Sequence, residues 1–186
     1  MMFAGVDEAG RGSLAGPVVA AAVILDDELE IEGIKDSKDL STNQRLVVEE
    51  KIKSLSICWN IAYASVKEID DLNILQASLL AMKRAIEGLE VIPTKVFCDG
   101  PYLPELSMKG EAIIGGDKKI QSIMSASVLA KVERDRIMTK LNKDFPFYFF
   151  DKHKGYPTKS HKEALKLHGP CKLHRRSFKP VKQSLR

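Results

Sequence analysis

The 186-residue chain has little cysteine: Cys58, Cys98 and Cys171 are odd in number and far apart. That excludes a disulfide framework and a paired-cysteine metal knuckle. Aromatics make up 6% of the chain, with Trp59 the one tryptophan. A long hydrophobic run is also missing. The longest, Ala15 to Leu25, is broken by Gly16 and Pro17 and falls short of the ~20 residues a helical membrane span needs. The opening residues reach Asp7-Glu8 with no basic stretch before them, which argues against an export signal. No internal repeat or low-complexity segment occurs. The reading is a soluble, cytoplasmic, globular protein with no membrane association, forming a single domain over residues 1–186.

Acid is what the C-terminal part lacks. Residues 152–186 hold eleven Lys or Arg against one acid, Glu163, whereas residues 1–151 hold 18 bases and 24 acids. The modest net charge of +4 therefore conceals a basic tail behind an acidic body, a pattern that suits a polyanionic partner.

Apolar runs over Phe3–Val6, Val18–Leu25, Ile57–Val66, Lys95–Cys98 and Glu111–Ile114 predict strands. Helical spacing predicts helices over Ser41–Ser54 (with Leu46, Val47 and Ile52 inward), Asn73–Glu87, Lys118–Asn142 and near Ser160–Leu167. In the longest of these, the small residues Ser125, Ala126, Ser127 and Ala130 suit close packing on a sheet. Strands and helices mix in one layered α/β unit.

Four acids stand at or just beyond predicted strand ends: Asp7, Glu8, Asp99 and Asp117. If those strands share a sheet and a direction, the carboxylates converge and repel until cations neutralise them. An oxygen-only donor set suits Mg²⁺ or Mn²⁺, and a pair of such ions supports phosphodiester cleavage. For Asp117, just ahead of a helix, capping is the simpler role.

Gly10-x-Gly12-x-x-x-Gly16 looks like a dinucleotide fingerprint, but Pro17 and a strand-like run stand where the phosphate-binding helix should begin. Arg11 in that loop offers a fork for a phosphate. His153, His161, His168 and His174 lack zinc-site spacing and read as surface or nucleic-acid contacts, with Arg175-Arg176 neutralising phosphates. Tyr156, after a glycine, suits either stacking on a base or sugar, or packing at the lip of the core.

Together these residues resemble the ribonuclease HII (type 2 ribonuclease H) family. The resemblance rests on Val6-Asp7-Glu8-Ala9-Gly10-Arg11-Gly12, Asp36-Ser37-Lys38, Asp99-Gly100, Gly116-Asp117, the run Ser125 to Asp135, Lys154-Gly155-Tyr156 and His174-Arg175-Arg176-Ser177-Phe178, in the family's order. It implies a ribonuclease H-like fold: a mixed five-stranded sheet flanked by helices, with a helical C-terminal region. It implies Asp7, Glu8, Asp99 and Asp117 as catalytic, metal-binding acids holding two Mg²⁺ or Mn²⁺ ions. It implies Gly10, Arg11 and Gly12 as the loop that meets a ribonucleotide, Tyr156 as a contact beside the 2′-hydroxyl, and Lys38 as part of the substrate groove, with residues 152–186 contributing to that groove.

The activity implied is endonucleolytic hydrolysis of RNA in RNA/DNA hybrids and 5′ of single ribonucleotides in duplex DNA, leaving 3′-hydroxyl and 5′-phosphate ends. This is the chemistry of ribonucleotide excision repair, performed by a monomer with no obligate protein partner. Asp39 departs from the pattern by standing where a lysine is common, Met124-Ser125 replaces a usual alanine pair, and Cys171 stands near a usual serine. The rival readings are a nucleic-acid-binding module with structural acids and a type 1 ribonuclease H confined to longer hybrids.

Overall fold

The computed structural model describes residues 2–26, 28–34 and 39–185; the polar segment Lys35-Asp36-Ser37-Lys38, and with it the expectation that Lys38 belongs to a substrate groove, lies outside them. Along the chain run β1 (Phe3–Ala9), β2 (Val18–Ile24), α1 (Thr42–Leu55), β3 (Cys58–Ala64), α2 (Val66–Leu72), α3 (Ile74–Glu87), β4 (Lys95–Asp99), β5 (Lys109–Ile113), α4 (Gln121–Leu141), α5 (Phe150–His153), α6 (Lys159–His168) and α7 (Lys179–Ser184). The five strands form one mixed sheet in the order β3-β2-β1-β4-β5, with β1 antiparallel to β2 and parallel to β4.

β2 is apolar at every position because both its faces are covered. Val18, Ala20, Ala22 and Ile24 pack with Ala77, Ala81 and Ala85 of α3, whereas Ala21 and Val23 pack with Ala126, Val128 and Ala130 of α4 and Val48 and Ile52 of α1. Small side chains on α4 let it lie close to the strands. The contact is tightest at Gly5 of β1, where a Cβ would come within 2.2 Å of the Ile123 nitrogen. A third cluster, Ala15, Met138, Tyr148, Phe150 and Ala164, ties the C-terminal helices to the far end of α4.

Three expectations about elements are corrected. β1 continues through Asp7, Glu8 and Ala9, because β2 supplies partners for all three at Ala21, Ala20 and Val19. The buried face of α1 is Val48, Glu49 and Ile52, while Leu46 and Val47 are exposed. The long helix begins at Gln121, after a single 3-10 turn over Gly116–Lys118. α2 was not anticipated, although Ser65 and Glu68 form a capping box at its start.

Candidate active site

The parallel register of β1 with β4 sets Val6 beside Cys98, so Asp7 and Asp99 are the next residues on neighbouring strands. Side-chain alternation turns Asp7, like Gly5 and Ala9, toward α4, where the Ser127 side chain bonds its carboxyl. Asp99 closes β4, and its Oδ1 accepts hydrogen bonds from the backbone nitrogens of Gly116 at 2.7 Å and Asp117 at 3.3 Å. Those bonds draw the 3-10 turn inward and carry Asp117 to the cluster. Asp117 does not cap α4, whose N-cap is Ile120 without a side-chain cap.

One carboxylate oxygen from each of Asp7, Asp99 and Asp117 lies within 4.8 Å of the others. Among the described residues this is the group of acids able to hold a metal ion. Glu8 stands outside that triad but lines the same cavity, of about 210 Å³, with Ala9, Gly10, Ser127, Lys131 and Tyr156. Its Oε1 pairs with Arg11 at 3.3 Å, and its buried Oε2 has no hydrogen-bond partner.

Burial, then the neighbouring Glu8 charge, raises the Asp7 carboxyl well above the usual carboxylate range. Burial also raises Glu8, with Arg11 opposing it. The same environment pushes the Cys98 thiol up to about 12, so that thiol stays protonated. Crowded, desolvated carboxylates with an orphaned oxygen fit hard divalent cations, which supply charge and ligand-hungry coordination at once.

The loop after β1 forms the rim of the cavity. Gly10 sits at φ +98°, and a Cβ there would lie 1.9 Å from Arg134 Nε. Gly12 is different: a Cβ would meet nothing within 4 Å, so its exposed backbone is open to an approaching molecule. Two buried arginines hold the loop from behind. Arg134 donates to the carbonyls of Pro17, Lys154 and Ala15, and Arg175 to those of Gly16, Arg11 and Pro17, all at 2.9–3.2 Å. Burial, then the nearby Arg134 charge, lowers the Arg175 guanidinium to about 9. Tyr156 is half-buried at the opposite rim, its ring 5.3 Å from the Arg134 guanidinium and 5.7 Å from Lys131 Nζ.

The structure thus brings together Asp7, Glu8, Asp99, Asp117, Gly10 and Tyr156, with Arg11 and Gly12 on the exposed rim. Two expectations fail. Arg175 has no exposed surface and serves backbone carbonyls rather than phosphates. His153, His161 and His174 are buried in a contact cluster, and His168 alone of the four is exposed. Ser127 and Lys131 are site residues the sequence reading did not assign; their i, i+4 spacing on α4 was the available signal.

The ribonuclease HII family profile matches residues 4–181. The chain is 56% identical over 180 residues to ribonuclease HII of Delftia acidovorans, covering 97% of this chain and 77% of that one. It is 54% identical over 180 residues to ribonuclease HII of Burkholderia mallei, covering 97% and 84%. The crystal structure of ribonuclease H2 from Pyrococcus horikoshii superposes with a TM-score of 0.80 at 27% identity, covering 99% of this chain and 97% of that one. Sequence, sheet topology and acid cluster agree: the chain belongs to the ribonuclease HII family and is a hydrolase that cleaves RNA.

Proposed function

We propose that this ribonuclease cuts the RNA strand of RNA/DNA hybrids and also cuts 5′ of a single ribonucleotide embedded in duplex DNA, releasing 3′-hydroxyl and 5′-phosphate ends. The observation that carries the reading is the convergence of Asp7, Asp99 and Asp117 in a cavity rimmed by Gly10–Gly12 and Tyr156. A binding module has no use for three partly desolvated, mutually repelling carboxylates in such a place.

Asp7, Glu8, Asp99 and Asp117 would hold two Mg²⁺ or Mn²⁺ ions; their donor set is oxygen alone, and Glu8 Oε2 lacks another partner. Bound there, the ions would activate the attacking water and stabilise the departing 3′-oxygen. The protein's own groups supply the rest. Asp99 holds Asp117 through two backbone amides, and Ser127 orients Asp7. The open backbone at Gly12 allows a sugar edge to approach, and Arg11 offers a charged fork to a phosphate. The 2′-hydroxyl marks RNA against DNA, and the space between Gly12 and Tyr156 is where that group would be sensed.

A separate groove of about 540 Å³ lies against α4, lined by Arg45, Arg136, Lys140, Lys143, Lys152 and Lys154 with the acids Asp135 and Asp151 among them. It would take duplex phosphates without reading sequence, with Lys152 and Lys154 the contribution of the basic C-terminal part. The test is an end-labelled DNA duplex with one ribonucleotide, incubated with Mg²⁺, Mn²⁺ or EDTA. A metal-dependent cut immediately 5′ of the ribonucleotide is expected. Cleavage of long hybrids alone would overturn the roles given to Gly10–Gly12 and Tyr156. Binding without cleavage of either substrate would overturn the proposal as a whole.

A further inference from the structure

Three histidines fill the space behind Tyr156, and the sequence reading gave none of them this position. His161 and His174 are 0% and 1% exposed, and His153 stacks on His161 with ring centroids 4.4 Å apart. All six ring nitrogens are engaged. His153 Nδ1 faces the Gly155 amide at 3.2 Å and its Nε2 the Tyr148 carbonyl at 2.7 Å. His174 Nδ1 faces the Cys171 amide at 3.0 Å, the two Nε2 atoms of His174 and His161 face each other at 3.1 Å, and His161 Nδ1 faces the Tyr156 carbonyl at 2.9 Å.

The two ends of this chain admit one arrangement of protons. A backbone N–H only donates, so His174 Nδ1 accepts from Cys171 and the His174 proton sits on Nε2. That Nε2–H donates to His161 Nε2, which forces the His161 proton onto Nδ1. A carbonyl only accepts, so His161 Nδ1–H donates to the Tyr156 carbonyl, whose other lone pair takes the Thr158 amide at 2.8 Å. The same accounting places the His153 proton on Nε2, donating to Tyr148.

We infer that His161 is a positioning residue for the ribonuclease reaction: its Nδ1–H, fixed by the His174 relay from the Cys171 amide, holds the Tyr156 backbone so that the ring faces the acid-lined cavity. The inference rests on Tyr156 meeting the substrate, as proposed above. The local backbone needs such a hold, because Lys154 at φ +51° and Gly155 at φ +82° are consecutive left-handed residues just before Tyr156. The groups facing the pair are the rings of Tyr148, Phe150 and His153 and the Cys171 thiol; the nearest charges acting on His153 are Asp151 and Lys154. No carboxylate shares the relay, so neutral imidazoles complete it.

Nitrogen-15 spectra of the whole protein read the tautomers directly. The expected pattern near pH 7.5 is Nδ1–H for His161 and Nε2–H for His153 and His174; Nε2–H on His161 overturns the inference whether or not any variant folds. Steady-state cleavage of the single-ribonucleotide duplex supplies the second readout. His161→Asn keeps an amide donor near the Nδ1 position and should hold KM within about threefold of the unaltered protein. His161→Gln carries its amide to the Nε2 side, loses the donor to Tyr156, and should raise KM about tenfold with kcat little changed, as Tyr156→Ala should. A folded His161→Gln with unaltered KM beside a defective Tyr156→Ala would sink the relay's role alone. An unimpaired Tyr156→Ala would sink the reading of Tyr156 on which it depends.

Discussion

Replacing Asp7 by Asn should make the protein more stable without divalent cations and deprive it of their stabilising effect. Asp7, Asp99 and Asp117 present oxygens within 4.8 Å of one another. At that separation and an effective dielectric near 20, each pair of charges costs roughly 3.5 kcal/mol. Removing one charge removes two of the three pairs, roughly 7 kcal/mol before relaxation. The protein already relieves part of this, because burial and Glu8 hold the Asp7 carboxyl toward its protonated form. With that relief and screening by salt, the net gain should be about 2 kcal/mol, or about 4–8 °C in Tm for a chain of this size. Asn keeps an oxygen to accept from the Glu8 amide, now bonded to Asp7 at 2.7 Å.

In the unaltered protein, Mg²⁺ at 100 times its Kd should add about 2.7 kcal/mol, or about 5–11 °C. In Asp7→Asn that increment should shrink to a small fraction. Calorimetric melts of both proteins in EDTA and in MgCl₂ measure the four values, and the two effects should have opposite sign. Melting of Asp7→Asn below the unaltered protein in EDTA, or an undiminished Mg²⁺ shift, would refute the account of a self-repelling metal site.

Acid should weaken the fold through the histidine relay. Burial holds His161 and His174 at about 4, below the ordinary value near 6.5, so the unfolded chain binds protons the folded one refuses. Their stabilising effect is full above about pH 6.5 and is lost as pH falls toward 4, by about 3 kcal/mol for the first proton. Asp7 and Glu8, whose carboxyls are raised, act in the opposite direction: stability they confer when protonated is lost as pH rises. Urea midpoints from pH 7.5 to 4.5 should therefore fall less steeply in His161→Gln, and parallel curves would contradict the assignment. Gly5→Ala should cost about 3 kcal/mol or more, because its Cβ would meet the Ile123 nitrogen and the Ser122 carbonyl carbon, both at 2.2 Å. A urea midpoint equal to that of the unaltered protein would show that α4 can shift away from β1 at no cost.

What was legible in the sequence followed from how local the cause was. β2 could be read because burial on both faces leaves an uninterrupted apolar run from Val18 to Ile24. The acids could be located because strands tend to end where carboxylates begin, although β1 runs on through Asp7 and Glu8 on the strength of β2's hydrogen bonds, which no local pattern reveals. Asp117 taken alone reads as a cap and joins the other acids only through the family resemblance; the physical cause, Asp99 drawing its turn inward, is visible in the fold alone. Arg175 and the histidines were misplaced for the opposite reason. A buried guanidinium normally implies a carboxylate partner, but Arg175 is satisfied by carbonyls of residues 11, 16 and 17 that become neighbours only after folding.

The hold of Arg175 on that loop also orders events during synthesis. Its hydrogen bonds join residues 158 to 164 positions apart, and Ala15 pairs with His174 by an isolated β-bridge. At about 5–20 residues per second, the ribosome makes the Gly10–Pro17 loop roughly 8–30 seconds before the segment that fastens it. A nascent chain therefore displays Asp7 and Glu8 beside a loop that Arg134 can reach but that still lacks the donors of Arg175, while the segment bearing Tyr156 lacks the His174 end of its relay. The full set of loop contacts is complete only when the segment around His174 and Arg175 docks. Shortening the chain before those residues should leave that set incomplete while keeping all four acids in the sequence.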